Sequence, residues 1–442
     1  MNIQLSDHFT YRKLFRFTLP TVVMMVFTSI YGVVDGLLVS NFVGKTAFAA
    51  INMIWPYIML LGCVGFLFGT GGSALIAQKL GERRPEQANN LFSLFVYTSV
   101  VIGIAVAVIG RLLLRPIALL QGAEGALLEE CMRYGSILLI VNPLFIVQLA
   151  FQNLFITAEK PQLGMWSIVA CGVANMVLDW LFMAVFHWGI PGAALATAIS
   201  QAMGGALPLI YFSRPNTSLL RLTRCSMDGK ALLHCCINGS SELMSNVSMS
   251  LVNILYNMQL MHYAGQDGVA AYGAMMYVSF VFLSIFIGYS IGVAPVVSFH
   301  YGALDHQELK NLRRKSFVLI GMISGCMLLL SILFASPLSR IFVGYDPELF
   351  VLTRRGFFVY SFAYPLAAVA IFSSSFFTAL GDGLTSAIIS FFRTLVFQIA
   401  AVLLLPLLWG VDGIWWSIVA AELAACILSL VFLSLRKRKY CY

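Results

Sequence analysis

Four carboxylates stand inside stretches apolar enough to cross a bilayer, Asp35, Asp179, Glu242 and Glu422, with one base, Arg393, among them. A charge near the bilayer centre costs at least about 2.5 kcal/mol even on insertion scales, so such residues mark ion or substrate paths, or they are paired. Asn175 and Asp179 are four residues apart and share one helix face, and Thr197 in the next helix adds a hydroxyl. An all-oxygen set of this kind suits a proton or a hard cation. Asp35 and Asp179 together would form such a site; the plainer alternative is that they only bond neighbouring helices. Glu242 admits two readings: wetting from the nearby linker, about three turns away, or contact with a cationic substrate. Arg393 either pairs across its half of the chain, with Glu422 as partner, or stands as a charge lining a cavity.

The elements that must hold these residues follow from composition. Of 442 residues, 60% are hydrophobic and 10% charged, against roughly 25% charged in soluble proteins. The fold class expected is all-α and polytopic, with twelve spans near 14–40, 47–78, 91–110, 134–158, 162–186, 192–213, 232–262, 269–300, 316–336, 357–380, 385–408 and 413–435. With both ends inside, nineteen of the 27 Lys and Arg fall on inside segments and seven outside, which is the positive-inside asymmetry of a bacterial cytoplasmic membrane protein. The start, with Arg12, Lys13 and Arg16 leading into a long apolar helix, does not read as a cleaved signal peptide. Of nine cysteines only Cys131 falls in an expected outside loop, so no external disulfide framework is expected.

The chain also repeats itself at an offset of 221 residues. Gly44, Ala49 and Ala50 meet Gly265, Ala270 and Ala271; Gly81, Asn90 and Leu91 meet Gly302, Asn311 and Leu312; Trp188, Gly189 and Gly192 meet Trp409, Gly410 and Gly413. One ungapped offset of half the chain length signals a duplication. Six spans per half is even, so the halves enter from the same side and form parallel repeats. The organisation expected is a first six-helix lobe over 1–213, a cytoplasmic linker over 214–230 and a second lobe over 231–442. At this offset Asp35 corresponds to Tyr256 and Asp179 to Ala400. Any coupling through the two acids therefore belongs to the first lobe.

Asp35 after Pro20, the connection Gln78-Lys79-Leu80-Gly81-Glu82-Arg83-Arg84, Phe151-Gln152-Asn153, Asn175 four before Asp179, and the twofold repeat resemble the multidrug and toxic compound extrusion family. Asn238-Gly239-Ser240-Ser241-Glu242 with Tyr289-Ser290-Ile291-Gly292 is similar to its MepA-like bacterial branch. The resemblance spans essentially the whole chain. It implies two bundles around a central cavity, exporting organic cations against a proton or sodium gradient. It assigns ion coupling to the positions of Asp35, Asp179, Asn175, Asn153 and Thr197, with Tyr31 one turn before Asp35. Glu242, Tyr256 and Arg393 are the substrate-contact candidates. No cofactor and no metal are called for, beyond sodium at Asp35 and Asp179 if sodium is the coupling ion. The partners expected are small organic substrates and lipid, without nucleic acid, for a monomeric chain.

Other classes fit the residues less well. Gly44-Lys45-Thr46 fails as a phosphate-binding loop because position 39 is Val. Glycines 69 to 72 lie within a span, where they permit close helix approach. No zinc spacing or nucleophile cluster supports a membrane enzyme. A flippase for lipid-linked sugars is the second reading, but an anionic pyrophosphate lipid calls for several intramembrane arginines and Arg393 stands alone.

Overall fold

The computed structural model describes residues 3–43, 45–121, 123–343 and 347–442, and the side chains at 33, 35–41, 45–49, 52, 250, 266 and 341–343 lie outside the description. Asp35 is thereby placed on its helix by backbone alone. The described residues form helices and no strand.

The first lobe holds α1 (Tyr11–Phe42), α2 (Lys45–Gly62), the short α3 (Val64–Phe66), α4 (Gly72–Gly81), α5 (Pro85–Leu120), α6 (Gly125–Thr157), α7 (Pro161–Asp179) and α8 (Gly189–Ser213). The second holds α9 (Gly229–Gly302), α10 (His306–Val343), α11 (Pro347–Ser361), α12 (Ala363–Ala379), α13 (Gly383–Phe391), α14 (Phe397–Trp409) and α15 (Val411–Tyr440). Helix ends follow local chemistry. Proline opens α5, α7 and α11, where its missing N–H is no loss. Asp228 caps α9 by accepting from Lys230 N and Ala231 N at 3.0 and 3.1 Å. Between Ser213 and Gly229 the chain is non-helical.

Among the described residues ten helices are long and apolar enough to span a membrane, or eleven with α11 and α12, bent by 45°, taken as one span. The remaining expected span, 232–262, is helical but polar, carrying Asn238, Glu242, Asn246, Asn253 and Asn257. It joins the next span in one helix, α9, broken at Gly265, whose φ of 62° only glycine adopts readily.

Several helices run past their expected ends, and one expectation falls with them. Cys131 lies within α6, fully buried, with its Sγ 4.0 Å from the carbonyl oxygen of Ala50. Its segment is rich in Ala, Leu, Glu and Met, which continue the helix beyond the apolar stretch and turn Cys131 inward.

Phe9, ahead of α1, and Tyr442 lie on one face, called here the terminal face: Lys315 Nζ donates to the Phe9 carbonyl at 2.6 Å, and Arg313 stacks on the Tyr442 ring at 5.2 Å. The seam between lobes is drawn tight near this face by glycines. A Cβ added at Gly81 would collide with the Phe299 carbonyl, and one added at Gly302 would collide with the Gln78 carbonyl. Since 78 and 299 are themselves 221 apart, as are 81 and 302, each lobe offers the other the same glycine and the same carbonyl. Gly71 against Gly239 and Gly292 against Thr18 are a second pair of matched positions in close contact, with a carbonyl, that of Cys235, only at Gly71. Gln78 Nε2 adds a hydrogen bond across the seam to the Ala379 carbonyl at 3.2 Å.

Candidate functional site

In the first lobe, α1 meets α7 over Gly172, where an added Cβ would fall 2.6 Å from Phe27 and 3.2 Å from Tyr31. Gly172, Asn175 and Asp179 lie three and four residues apart and form one stripe, so both polar residues follow the groove that α1 occupies. Asp179 is 0% and Asn175 3% exposed. Asp35 takes the next position after Phe27 and Tyr31 on α1, level with this pair by helix register; its side chain is outside the described residues. Thr197 on α8 is half-buried and reaches the same depth, because Ser200, one turn away, donates to the Cys171 carbonyl at 2.8 Å.

Asn153 does not join them. Phe155 packs on Gly164, which places Asn153 roughly nine residues, about 13 Å, nearer the terminal face than Asn175. There it sits one turn from Thr157, whose hydroxyl meets Ser73 of α4 at 2.5 Å. The structure thus gathers Tyr31, Asn175, Asp179 and Thr197 and sets Asn153 in a separate polar layer.

Buried amides not singled out from the sequence accompany them. Gln148 of α6 lies against Gly204 of α8, and Gln201 is on the same α8 stripe as Thr197. The amide nitrogens of Asn153 and Asn175, the amide oxygens of Gln148 and Gln201, and both polar atoms of Asn142 are buried without a hydrogen-bond partner among the described residues. Polar atoms left so in an apolar interior are costly unless something else visits them. The only sequence signal was the presence of amides inside spans. Such oxygen donors suit a hard cation, and an enclosed carboxylate suits either that or a proton. Among the described residues no three His, Cys, Asp or Glu gather as a metal cluster.

The second lobe is built differently at the matching place. Arg393 Nε donates to Glu422 Oε2 at 2.9 Å, with side chains 16% and 8% exposed. Arg393 stands on a π-helical turn, Phe392–Val396, between α13 and α14. At offset 221 these two residues correspond to Gly172 and Gln201, so the first lobe has no counterpart of the pair. Tyr256, the counterpart of Asp35, is 1% exposed, and its hydroxyl meets Gln398 Oε1 at 2.7 Å and Ser417 Oγ at 2.9 Å. It ties α9 to α14 and α15 and stacks on Tyr272 with ring centroids 5.4 Å apart. Glu242 is half-buried on α9, within electrostatic range of Arg393, and is not part of the Arg393–Glu422 ion pair.

Comparisons with known proteins agree with this organisation. The MatE family profile matches residues 20–181 and again 243–404. The two matches begin 223 residues apart, within two of the internal offset. The multidrug export protein MepA of Staphylococcus haemolyticus is 26% identical over 431 residues, covering 97% of this chain and 94% of its own. MepA of Staphylococcus saprophyticus is 23% identical, covering 96% and 94%. Among solved structures, an outward-facing multidrug resistance MATE transporter of the MOP superfamily superposes with a TM-score of 0.93 at 21% identity, over 99% of this chain and 98% of that one. A MATE protein in complex with MaL6 gives 0.92 at 22%, over 98% of each chain. Two lobes, each matched by one copy of the same family profile, make this chain a multi-pass membrane protein of the MatE family.

Proposed function

We propose that this chain exports amphipathic organic cations across a bacterial cytoplasmic membrane in exchange for protons or sodium ions. The observation that carries the reading is the enclosed carboxylate of Asp179, set with Asn175 and Thr197 in the first lobe alone. A fully enclosed acid in a spanning helix is expensive, and a cycling proton or cation offsets that expense. MepA, the relative similar along nearly the whole chain, is by name a multidrug export protein. In this reading Asp35, Asp179, Asn175 and Thr197 bind the coupling ion, with Tyr31 bounding the site and Asn153 serving a separate layer. Glu242 meets the cationic end of the substrate, since the hydrogen bond of Arg393 goes to Glu422 and not to Glu242. Tyr256 positions the surrounding helices. The lobes rock about their seam, the motion expected of parallel repeats. The terminal face is cytoplasmic.

Sealed vesicles test this. With an outward-facing terminal side, a fluorescent organic cation should accumulate only under an imposed proton or sodium gradient. Equal accumulation with no gradient of either ion overturns the proposal.

A further inference from the structure

Two segments cross between the lobes on the terminal face, and they hold matching places in the repeat. Residues 221–226 lead into α9 of the second lobe, yet they lie over the start of α5 in the first. There Arg221 N donates to Asn89 Oδ1, Thr223 N to Ser93 Oγ and Ser226 N to Asn90 Oδ1, each at 2.8 Å. Residues 3–10 lead into α1 of the first lobe, yet they lie over the start of α10 in the second. Phe9 N donates to Glu308 Oε1 at 3.0 Å, and His8 Nδ1 lies 2.6 Å from Glu308 Oε2. The Phe9 carbonyl accepts from Lys315 Nζ at 2.6 Å and from Asn311 Nδ2 at 3.2 Å. Asn90 and Asn311 are 221 residues apart, so one asparagine of the duplicated unit receives both crossings.

The second crossing is held in a different way at its two ends. Leu5 and Phe9 are fully buried, and Leu5 N donates to Glu159 Oε1 at 2.6 Å in the turn between α6 and α7. Glu159 and α1 belong to the same lobe, so that contact travels with the segment when the lobes move. Glu308 belongs to the other lobe. Its side chain is 7% exposed, and it also accepts from Asn311 Nδ2 at 2.7 Å. Bonds to a carboxylate are the strong kind. They lie at the seam where the glycine contacts bring the lobes together.

We propose that residues 3–10 are a gating strap, anchored to the first lobe by Glu159 and clasped to the second by Glu308, whose release accompanies opening of the terminal face. The proposal rests on the rocking motion read above. Closure of this face in the present structure is visible in the seam itself, where Cys235 is fully buried with its carbonyl against Gly71.

Cys235 provides the readout. In a background carrying Cys225→Ser, Cys236→Ser, Cys326→Ser and Cys441→Ser, its maleimide labelling rate in nanodiscs reports how often the seam opens. Addition of a transported organic cation should raise that rate in the parent; if it never rises, rocking fails and the strap fails with it. Where the parent responds, Glu308→Ala should raise the resting rate roughly tenfold, the population change equivalent to about 1.4 kcal/mol. An unchanged rate in Glu308→Ala overturns the strap alone. A second variant guards against misfolding. Ser6 and Gln307 line the same cleft of about 400 Å3 beside the clasp. Ser6→Cys with Gln307→Cys, joined by a cleavable cross-linker, should stop transport, and cleavage should restore it. Transport at the parental rate with the bridge fully formed refutes the proposal.

Discussion

At the residue scale the sharpest expectation falls on Asp179. Asn at this position keeps the shape and hydrogen-bonding capacity of the acid but neither cycles a proton nor holds a cation firmly. Asp179→Asn should reduce gradient-driven efflux to background while ligand binding in detergent persists, and Asp35→Asn should do nearly the same. Wild-type efflux retained by the double variant would shift the coupling role to Glu242. Arg393 and Glu422 are a different matter, because breaking a buried ion pair strands the remaining charge. Glu422→Ala should lower stability by about 3 kcal/mol, seen as early loss of monodisperse protein on heating, and Arg393→Met with Glu422→Met should recover most of it. These charged positions were legible because a charge in a span is rare. Gln148, Gln201 and Asn142 were not, since a neutral amide costs far less and does not stand out. The separation of Asn153 from Asn175 was also invisible: spacing along one helix says nothing of depth on its antiparallel neighbour.

At the scale of elements, periodicity and apolar length located the helices but not their ends. The stretch around Cys131 shows why: helix propensity carried α6 beyond its apolar run, and composition alone marks only the run. The polar half of α9 shows the converse, a stretch placed among the apolar spans that is helical but carries Asn238, Glu242, Asn246, Asn253 and Asn257. Glycine carries the closest contacts between elements. Gly81→Val should force α4 from α9 and destabilise the protein by about 2 kcal/mol, as overpacking of a tight contact does. Gly229→Val, where an added Cβ meets nothing within 4 Å, should change thermal stability little. Equal effects of the two substitutions would remove the seam from the account.

For the whole molecule, orientation is the property that basic residues encode most directly. Cys441 is exposed and Cys225 half-buried on the terminal side, so an impermeant thiol reagent should label both only after permeabilisation of intact cells. Labelling of Cys441 in intact cells would invert the proposed direction of transport. The duplication was legible at long period, and with it the two-lobed plan. What it did not disclose was that residues matched across the offset would touch each other's helices.

That reciprocity has a consequence for assembly. Gly81 on the Phe299 carbonyl and Gly302 on the Gln78 carbonyl make the seam isologous, the contact geometry of a twofold homodimer, although both partners sit on one chain. A self-complementary surface does not need the peptide connection to find its mate. Co-expressed fragments ending and beginning within 214–228, where the chain is non-helical, should therefore associate in the membrane and regain efflux.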